Sequence, residues 1–438
     1  MTYERTVMNK NMLLIVVLFF TCAIIVPLQT SGQSMVERYD QTRSVRDYNW
    51  LPYGFYTDSL GFVFGIGANK PSFPQEQSTV MGTLALGTKG TYLLAGGGSD
   101  IRIPGTERLF VDILFSSGYY VDDSFYIDSN PNFADERAGS NDSSKNNFIE
   151  ETMWDSWAEM KFFYLLPIGD GADRIVNKYM IDRGMLKSGA TGGSSWNPLK
   201  SGRTYIRLTP AWRNKTLDLD DNITGKTVNL KFGVEYNNFD FPANPQRGSK
   251  QEIYYTRDFT SSDLIGEWEL YELKYSKVFD LGSYPGTKQQ GLALSFWTAY
   301  VPTWETEFVD GKEVITKRPP YYEGATLGGF YRMRAYEGNR FNDKAAIYGS
   351  MEYRIIPEWQ PLISNRLFEY FELDWMQFVF FAEAGRVASE WSVDELTSDL
   401  KYDVGASIRG MMMKSVFRLD FAIGEEGARA VAMYGQPF

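Results

Sequence analysis

The sequence predicts an all-β chain folded as a transmembrane antiparallel β-barrel, on three observations. Segments of about ten residues alternate apolar and polar side chains with period two, which places them on opposite faces of a sheet. The apolar faces are long and aromatic, while the polar faces carry full charges of both signs. In VFRLDFAI, for example, Phe417, Leu419, Phe421 and Ile423 oppose Arg418 and Asp420. Beyond residue 33 no window reaches 18 consecutive apolar residues, so a helix-bundle membrane protein is excluded. A water-soluble sandwich shares the period. Lipid, however, demands an apolar outer face and tolerates a charged lumen, and barrel closure satisfies backbone groups that lipid cannot.

Taken in order, the chain opens with Arg5 and Lys10 before an apolar run from Met12 to Leu28, then Thr30 and Gly32 at the positions a signal peptidase reads. The run is short for a retained anchor, and a cleavage site follows it directly, which favours a signal peptide over 1–32. Cys22, the single cysteine, lies inside that run, so no disulfide framework is expected. A short periplasmic segment is expected over 33–58, then the outer-membrane barrel over 59–438. Fifteen strands are predicted near 59–68, 78–88, 90–99, 107–117, 156–166, 203–213, 227–237, 249–258, 267–279, 290–301, 345–356, 376–386, 402–411, 415–424 and 428–437. Bacterial single-chain barrels have even strand numbers. A sixteenth is therefore sought in the acidic, Asn/Ser-rich stretch 118–155.

Parity predicts that Leu292, Phe296, Phe378, Phe380, Phe417, Leu419 and Phe421 face lipid. It turns Lys231, Glu235, Glu352, Arg354, Glu383, Arg409, Arg418 and Asp420 into the lumen. Trp212, Trp268, Trp297, Trp304 and Tyr402, near strand ends, fit interfacial girdles. Gly61, Val63, Gly65 and Gly67 give the strand at 59–68 an inward face with little side-chain packing. Long connections are expected at 118–155, 167–202 and 302–344. Histidine is absent from the 438 residues, and no nucleotide-binding or nucleophile motif precedes a helical pattern. Most His-dependent catalysis and metal binding is thereby excluded. No enzyme activity, cofactor or metal is expected, and nucleic acid is not an expected partner.

One stretch resists the strand pattern. Phe330 to Lys344 is dense in charge, with neither helical period nor apolar stripe, yet it leads directly into a strand. LGGF (Leu327 to Phe330), MRAY (Met333 to Tyr336) and RFNDK (Arg340 to Lys344) follow one another here, and in this order they resemble the BamA/TamA family of outer-membrane assembly barrels. They are followed by Glu352-Tyr353-Arg354, FAEAG (Phe381 to Gly385), RLDFAIG and the closing GQPF. The turn Phe241 to Ser249 also matches. The resemblance is strong over roughly 225–438 and weaker over 59–117.

The resemblance implies sixteen strands and a long outer loop folded into the lumen. Its tip is Met333, Arg334, Ala335 and Tyr336, flanked by Gly328, Gly329, Arg340, Asp343 and Lys344, and Arg334 meets Glu383. A terminal aromatic, Phe438, with Tyr434 on the same face, would serve as the C-terminal sorting signal. Ala335 stands where the family has Gly, and Glu383 where it has Asp. Ala tolerates positive φ poorly, so the tip is expected to differ slightly.

The 25 or so residues between 33 and 58 are too few for the family's periplasmic domains, so a member consisting of barrel alone is expected. Two functions stay open. One is assistance to outer-membrane proteins or lipids entering or crossing the membrane, with other outer-membrane proteins or a periplasmic accessory as partners besides lipid. The other is a structural, pore-like or receptor barrel acting through its outer loops.

Overall fold

Period-two alternation resolves into a single large sheet in the computed structural model. The structure describes residues 34–39, 48–57, 61–218, 224–260, 267–309 and 312–437. The predicted signal peptide and Phe438 lie outside the described residues. The first strand, β1 (Ser34–Arg38), stands apart from the large sheet. The sheet begins with β2 (Asn49–Thr57), β3 (Gly61–Pro71), β4 (Thr79–Gly87), β5 (Tyr92–Arg102), β6 (Leu109–Phe125) and β7 (Ile149–Leu165). It continues through β10 (Arg203–Leu217), β11 (Thr224–Asn237), β12 (Gly248–Asp258), β13 (Glu269–Gly282) and β14 (Thr287–Tyr300). It ends with β19 (Ala345–Pro357), β20 (Trp375–Ala388), β21 (Lys401–Met412), β22 (Ser415–Gly424) and β23 (Gly427–Tyr434). These sixteen strands follow chain order, and each is antiparallel to the one before.

The sixteenth strand is therefore not in 118–155, where the hairpin β6–β7 merely runs longer than predicted. It is β2, ten residues before the expected start of the barrel. Pro52 hides it, because proline argues against a central strand. At the edge of a sheet a missing N–H costs no ladder bond, and β2 is such an edge. Among the described residues no ladder joins β2 to β23, so the predicted closure by hydrogen bonding is not present. The two ends do meet by packing. Leu51 of β2 and Phe417 of β22 lie against one apolar cluster that includes Phe368, Leu373 and Met376.

Parity sorts most side chains as the alternation demands. Phe64, Ile66, Leu84, Leu94, Phe232, Ile253, Phe380 and Ile423 are among a belt of exposed apolar residues on the outward register. An exposed apolar surface of this extent, with charges buried behind it, fits a lipid-facing barrel. Four residues depart from expectation. Trp268, Trp297 and Trp304 are buried rather than set in a girdle, and they pack with the lumenal loop. Trp297 donates its indole N–H to Glu272 at 3.2 Å, so its polar handle points inward. Leu419 keeps the outward register yet is buried. Trp212 and Tyr402 are exposed as expected.

The glycine-rich inward face of β3 is packed after all. A Cβ on Gly65 would lie 2.2 Å from the Tyr53 ring, so the glycine makes room for an aromatic from β2. Tyr53 then reaches the Thr83 hydroxyl at 2.7 Å and packs with Val63, Ala85 and Leu93.

Both mouths carry extra structure. On one side the β14–β19 connection forms two hairpins, β15 (Glu305–Val309) with β16 (Lys312–Lys317), and β17 (Ala325–Leu327) with β18 (Phe341–Asp343). On the other side the β7–β10 connection holds β8 (Asn177–Asp182) and β9 (Met185–Ser188), and β1 pairs in parallel with β8. The segment expected as a short periplasmic stretch over 33–58 thus supplies a strand to this small sheet and another to the barrel. Tyr179 and Ile181 pack with Phe241, Ile356, Trp375 and Met411. Arg38 reaches Asp374 at 3.0 Å, which ties β1 to the wall. In the β11–β12 turn, burial pushes the Asp240 carboxyl up, partly offset by N–H donors from Gln246, Phe241 and Arg247.

Candidate functional site

The lumenal site starts from the turn that aims Arg334. Gly328 and Gly329 take φ values of 102° and 113°, and a Cβ on Gly328 would lie 2.1 Å from the Glu337 carbonyl. Only glycine allows that approach. The Gly328 and Gly329 N–H groups donate to the Arg332 and Tyr336 carbonyls, and a turn closes from Tyr336 N–H to the Met333 carbonyl at 3.0 Å. The positive φ at the tip belongs to Met333 (55°), while Ala335 is not among the positive-φ residues. The strain expected at Ala335 is therefore absent. Its methyl group instead nestles 3.1 Å from where a Cβ on Gly424 would stand.

Arg334 is fully buried and meets three carboxylates from three strands. Its Nε donates to Glu383 on β20 at 3.0 Å, one terminal nitrogen to Asp420 on β22 at 3.0 Å, and the other to Glu352 on β19 at 3.1 Å. Its backbone N–H adds a second bond to Glu383 at 2.7 Å, and its guanidinium lies 3.5 Å from the centre of the Phe381 ring. Tyr348 donates to Glu383 at 2.5 Å. Ala335 N–H donates to Asp403 at 3.1 Å, and the Tyr336 hydroxyl to the Tyr402 carbonyl.

The wall explains why the loop must supply a cation. Glu383 stands directly opposite Asp403, and Arg409 opposite Arg418. Directly opposed like charges destabilise a sheet. Arg354 and Arg409 bond Glu352, and Arg418 pairs with Asp420. The wall thus brings four carboxylates (Glu352, Glu383, Asp403, Asp420) and three arginines (Arg354, Arg409, Arg418). Arg334 is the fourth cation and brings the cluster to neutrality. An unbalanced buried charge is far costlier than a balanced set.

The other predicted residues clamp the loop from outside. Arg340 bonds Glu426 at 2.7 Å and the Ser143 hydroxyl at 2.8 Å. Asp343 pairs with Arg137, and Asn342 N–H donates to the Gly139 carbonyl at 2.8 Å. The Lys344 carbonyl accepts from Val301 N–H at 2.7 Å. Residues 137–143, read only as part of a long connection, are thus a lid on the loop. Tyr434 pairs with Phe417 in the β22–β23 ladder, and the chain then turns into the mouth. Gln436 there accepts from Arg409 at 2.5 Å and donates to the Ala243 carbonyl at 3.3 Å.

Sequence reasoning paired Arg334 with Glu383 alone. Parity puts Glu352 and Asp420 in the lumen but does not pair them with Arg334, and Asp403 carries no expectation from the sequence. Counting charges on the inward register of β19–β22 gives no signal, because Lys401 balances the sum; the structure places it at the rim with Glu425, away from the cluster. Among the described residues no group of His, Cys, Asp and Glu is arranged to hold a metal ion.

No family model matches the chain, and no curated protein matches it. Solved structures do match it along most of its length, three of them as follows. CdiB from Escherichia coli is 11% identical with a TM-score of 0.53, and the match covers 88% of this chain and 62% of that one. BamA from Haemophilus ducreyi lacking POTRA domains 1–3 is 13% identical at TM-score 0.46, over 89% and 70%. CdiB from Acinetobacter baumannii is 10% identical at TM-score 0.48, over 89% and 61%. The chain spans about three fifths of the length of the two CdiB chains.

Proposed function

We propose that this chain, whose fold is that of the BamA/TamA-like barrels, lies in the bacterial outer membrane and assists other outer-membrane proteins or lipids into or across it. The observation that carries this reading is the contrast between a filled lumen and an unladdered seam. A solute pore needs an open lumen, and here a loop bonded to three wall carboxylates through Arg334 lies inside it. Sideways passage needs a wall that can part. β2 and β23 share no ladder among the described residues, and the β2 edge carries a proline. Unpaired strand edges in lipid are costly, and a client strand or lipid headgroup at the seam relieves that cost.

In this reading Met333, Arg334, Ala335 and Tyr336 hold the plug against Glu383, and Gly328, Gly329, Arg340, Asp343 and Lys344 fix its stem. Tyr434 and Phe438 present the C-terminus for the chain's own assembly. Export proceeds through a signal peptide cleaved near residue 32, and the partners are membrane lipid, client outer-membrane proteins and a periplasmic accessory. No step calls for a catalytic group or cofactor. The test is a comparison of outer membranes from cells with and without the protein. Depletion of other outer-membrane proteins, or altered lipid distribution between leaflets, is the expected result. An unchanged membrane overturns the reading in favour of a barrel acting only through its outer loops.

A further inference from the structure

One connection leaves the mouth that holds the inserted loop and lies down along the outside of the wall. It joins β20 to β21 and runs past Glu390 and Trp391 into a short helix, Val393–Thr397. Leu396 of that helix is buried against Ala345, Ile347, Ala388 and Tyr300, all on the outward register. The Trp391 indole N–H reaches past β19 and donates to the Thr298 hydroxyl of β14 at 2.8 Å. Between this connection and the outer face of β12–β13 lies a groove of about 630 Å³. Pockets that hold small ligands commonly span roughly 300–1,000 Å³. Its floor is low because Thr298 follows the larger Leu294 and Phe296 on the same face of β14. Its far bank is Ile253, Tyr271 and Leu273, all exposed.

Strand register sets the depth of this groove. Tyr255, Tyr271 and Tyr300 form one row across β12, β13 and β14, near the ends of these strands on the side of the inserted loop. An aromatic row at strand ends marks the level of lipid headgroups. The next outward row is Ile253, Leu273 and Thr298, on the hydrocarbon side of the tyrosines. Tyr300 pairs with Ala345, and Ala345 with Ala388, so Lys344 and Glu390 lie beyond the tyrosine row, on the headgroup side. Both line the groove, and among the described residues neither belongs to an ion pair. Glu272 also lines it, but from the lumenal register, where Lys231 pairs with it. We infer that the groove holds a zwitterionic phospholipid with a primary ammonium. One acyl chain lies along Ile253 and Leu273, the phosphate meets Lys344, and the ammonium meets Glu390. A head of a single sign would leave one of these two charges unmatched, whereas a zwitterion gives each a charge-assisted hydrogen bond. Trp391 and Val393 are themselves exposed, so the connection turns an apolar face to the same lipid. The inference rests on the membrane placement proposed above, and it adds a bound lipid and the chemistry of its head.

The test reconstitutes the full chain in vesicles of phosphatidylethanolamine, phosphatidylglycerol and phosphatidylcholine in equal parts. Flotation with the vesicles and a heat-modifiable band report insertion. The protein is then moved into mild detergent, and the lipids that stay bound are counted by native mass spectrometry. Retention of phosphatidylethanolamine in preference to the other two is the expected result, because phosphatidylglycerol lacks the ammonium and the phosphatidylcholine head has no N–H to donate. Lys344→Gln and Trp391→Ala should each lower that retention by roughly tenfold, the scale of one charged hydrogen bond. Glu390→Gln should erase the preference for phosphatidylethanolamine over phosphatidylglycerol. Trp212→Ala changes an exposed tryptophan outside the groove and should retain lipid as the unaltered chain does. Should Lys344→Gln fail to insert, Glu390→Gln carries the test, since Glu390 is exposed. An inserted chain that retains the three lipids without preference overturns the site and leaves the membrane reading standing, as does unchanged retention in the groove variants. A chain that does not float with the vesicles overturns the membrane reading itself.

Discussion

The two walls of this barrel are built on opposite principles. The wall β19–β22 presents Glu352, Arg354, Glu383, Asp403, Arg409, Arg418 and Asp420 to the lumen, all buried. The wall β2–β5 presents Tyr53, Val63, Gly65, Gly67, Thr83, Ala85 and Leu93, with no charge among them. The first is held by directional bonds that run through a loop inserted from another part of the chain. The second is held by one aromatic ring laid over a glycine, and it ends at an edge without a ladder. The densely bonded region and the unladdered edge thus lie on different sides of one sheet. A buried ionic network tolerates little displacement before charges lose partners, whereas apolar contacts slide at modest cost.

The largest effect should come from Arg334→Ala. Removing the fourth cation leaves Glu383, Asp420 and Glu352 short of a partner, at a cost of about 3–5 kcal/mol. The denaturant midpoint of the folded, heat-modifiable band should fall, and the 328–340 segment should become sensitive to added protease. Glu383→Ala should act similarly, and the double variant should be clearly less destabilised than the sum of the two. Strict additivity would break the picture of a single cooperative cluster.

On the opposite wall, Gly65→Ala places a methyl group into the Tyr53 ring. Overpacking of this kind costs roughly 1–3 kcal/mol. The same midpoint measurement should show that loss without any new protease sensitivity in the plug, and Tyr53→Ala in the same chain should relieve it. Plug exposure in Gly65→Ala would show that the walls are mechanically coupled. Tyr53→Phe removes only the hydroxyl bond to Thr83 and should cost about 0.5–1.5 kcal/mol. Its effect should be confined to the seam, read as faster hydrogen exchange in β2 and β3 with β19–β22 unchanged.

The smallest effect belongs to the rim of the charged wall. Lys401 and Glu425 pair at 3.5 Å with Glu425 well exposed. Lys401→Ala should therefore shift the midpoint by about 1 kcal/mol or less. A loss as large as that of Arg334→Ala would sink the argument that burial and charge balance, rather than charge count, hold the loop.

Period two and face chemistry by themselves determined an all-β barrel and assigned the lumenal charges to it, because side-chain parity along a strand is a local property that needs no knowledge of neighbours. Fifteen of the strands were legible for that reason. The order of LGGF, MRAY and RFNDK likewise marked the segment that enters the lumen. Tertiary structure alone decided what those residues meet. Pro52 spoils the local pattern of β2, and only its place at the edge of the sheet makes a strand there possible. The sorting of Trp297 inward and Trp212 outward depends on which partners lie across the wall, Glu272 for the first. Arg334 could be seen as a cation needing an anion. That it would take Glu352, Glu383 and Asp420 together depends on strand register and on the depth to which a loop inserts. Both are set by contacts between residues far apart in the chain, which no local spacing encodes.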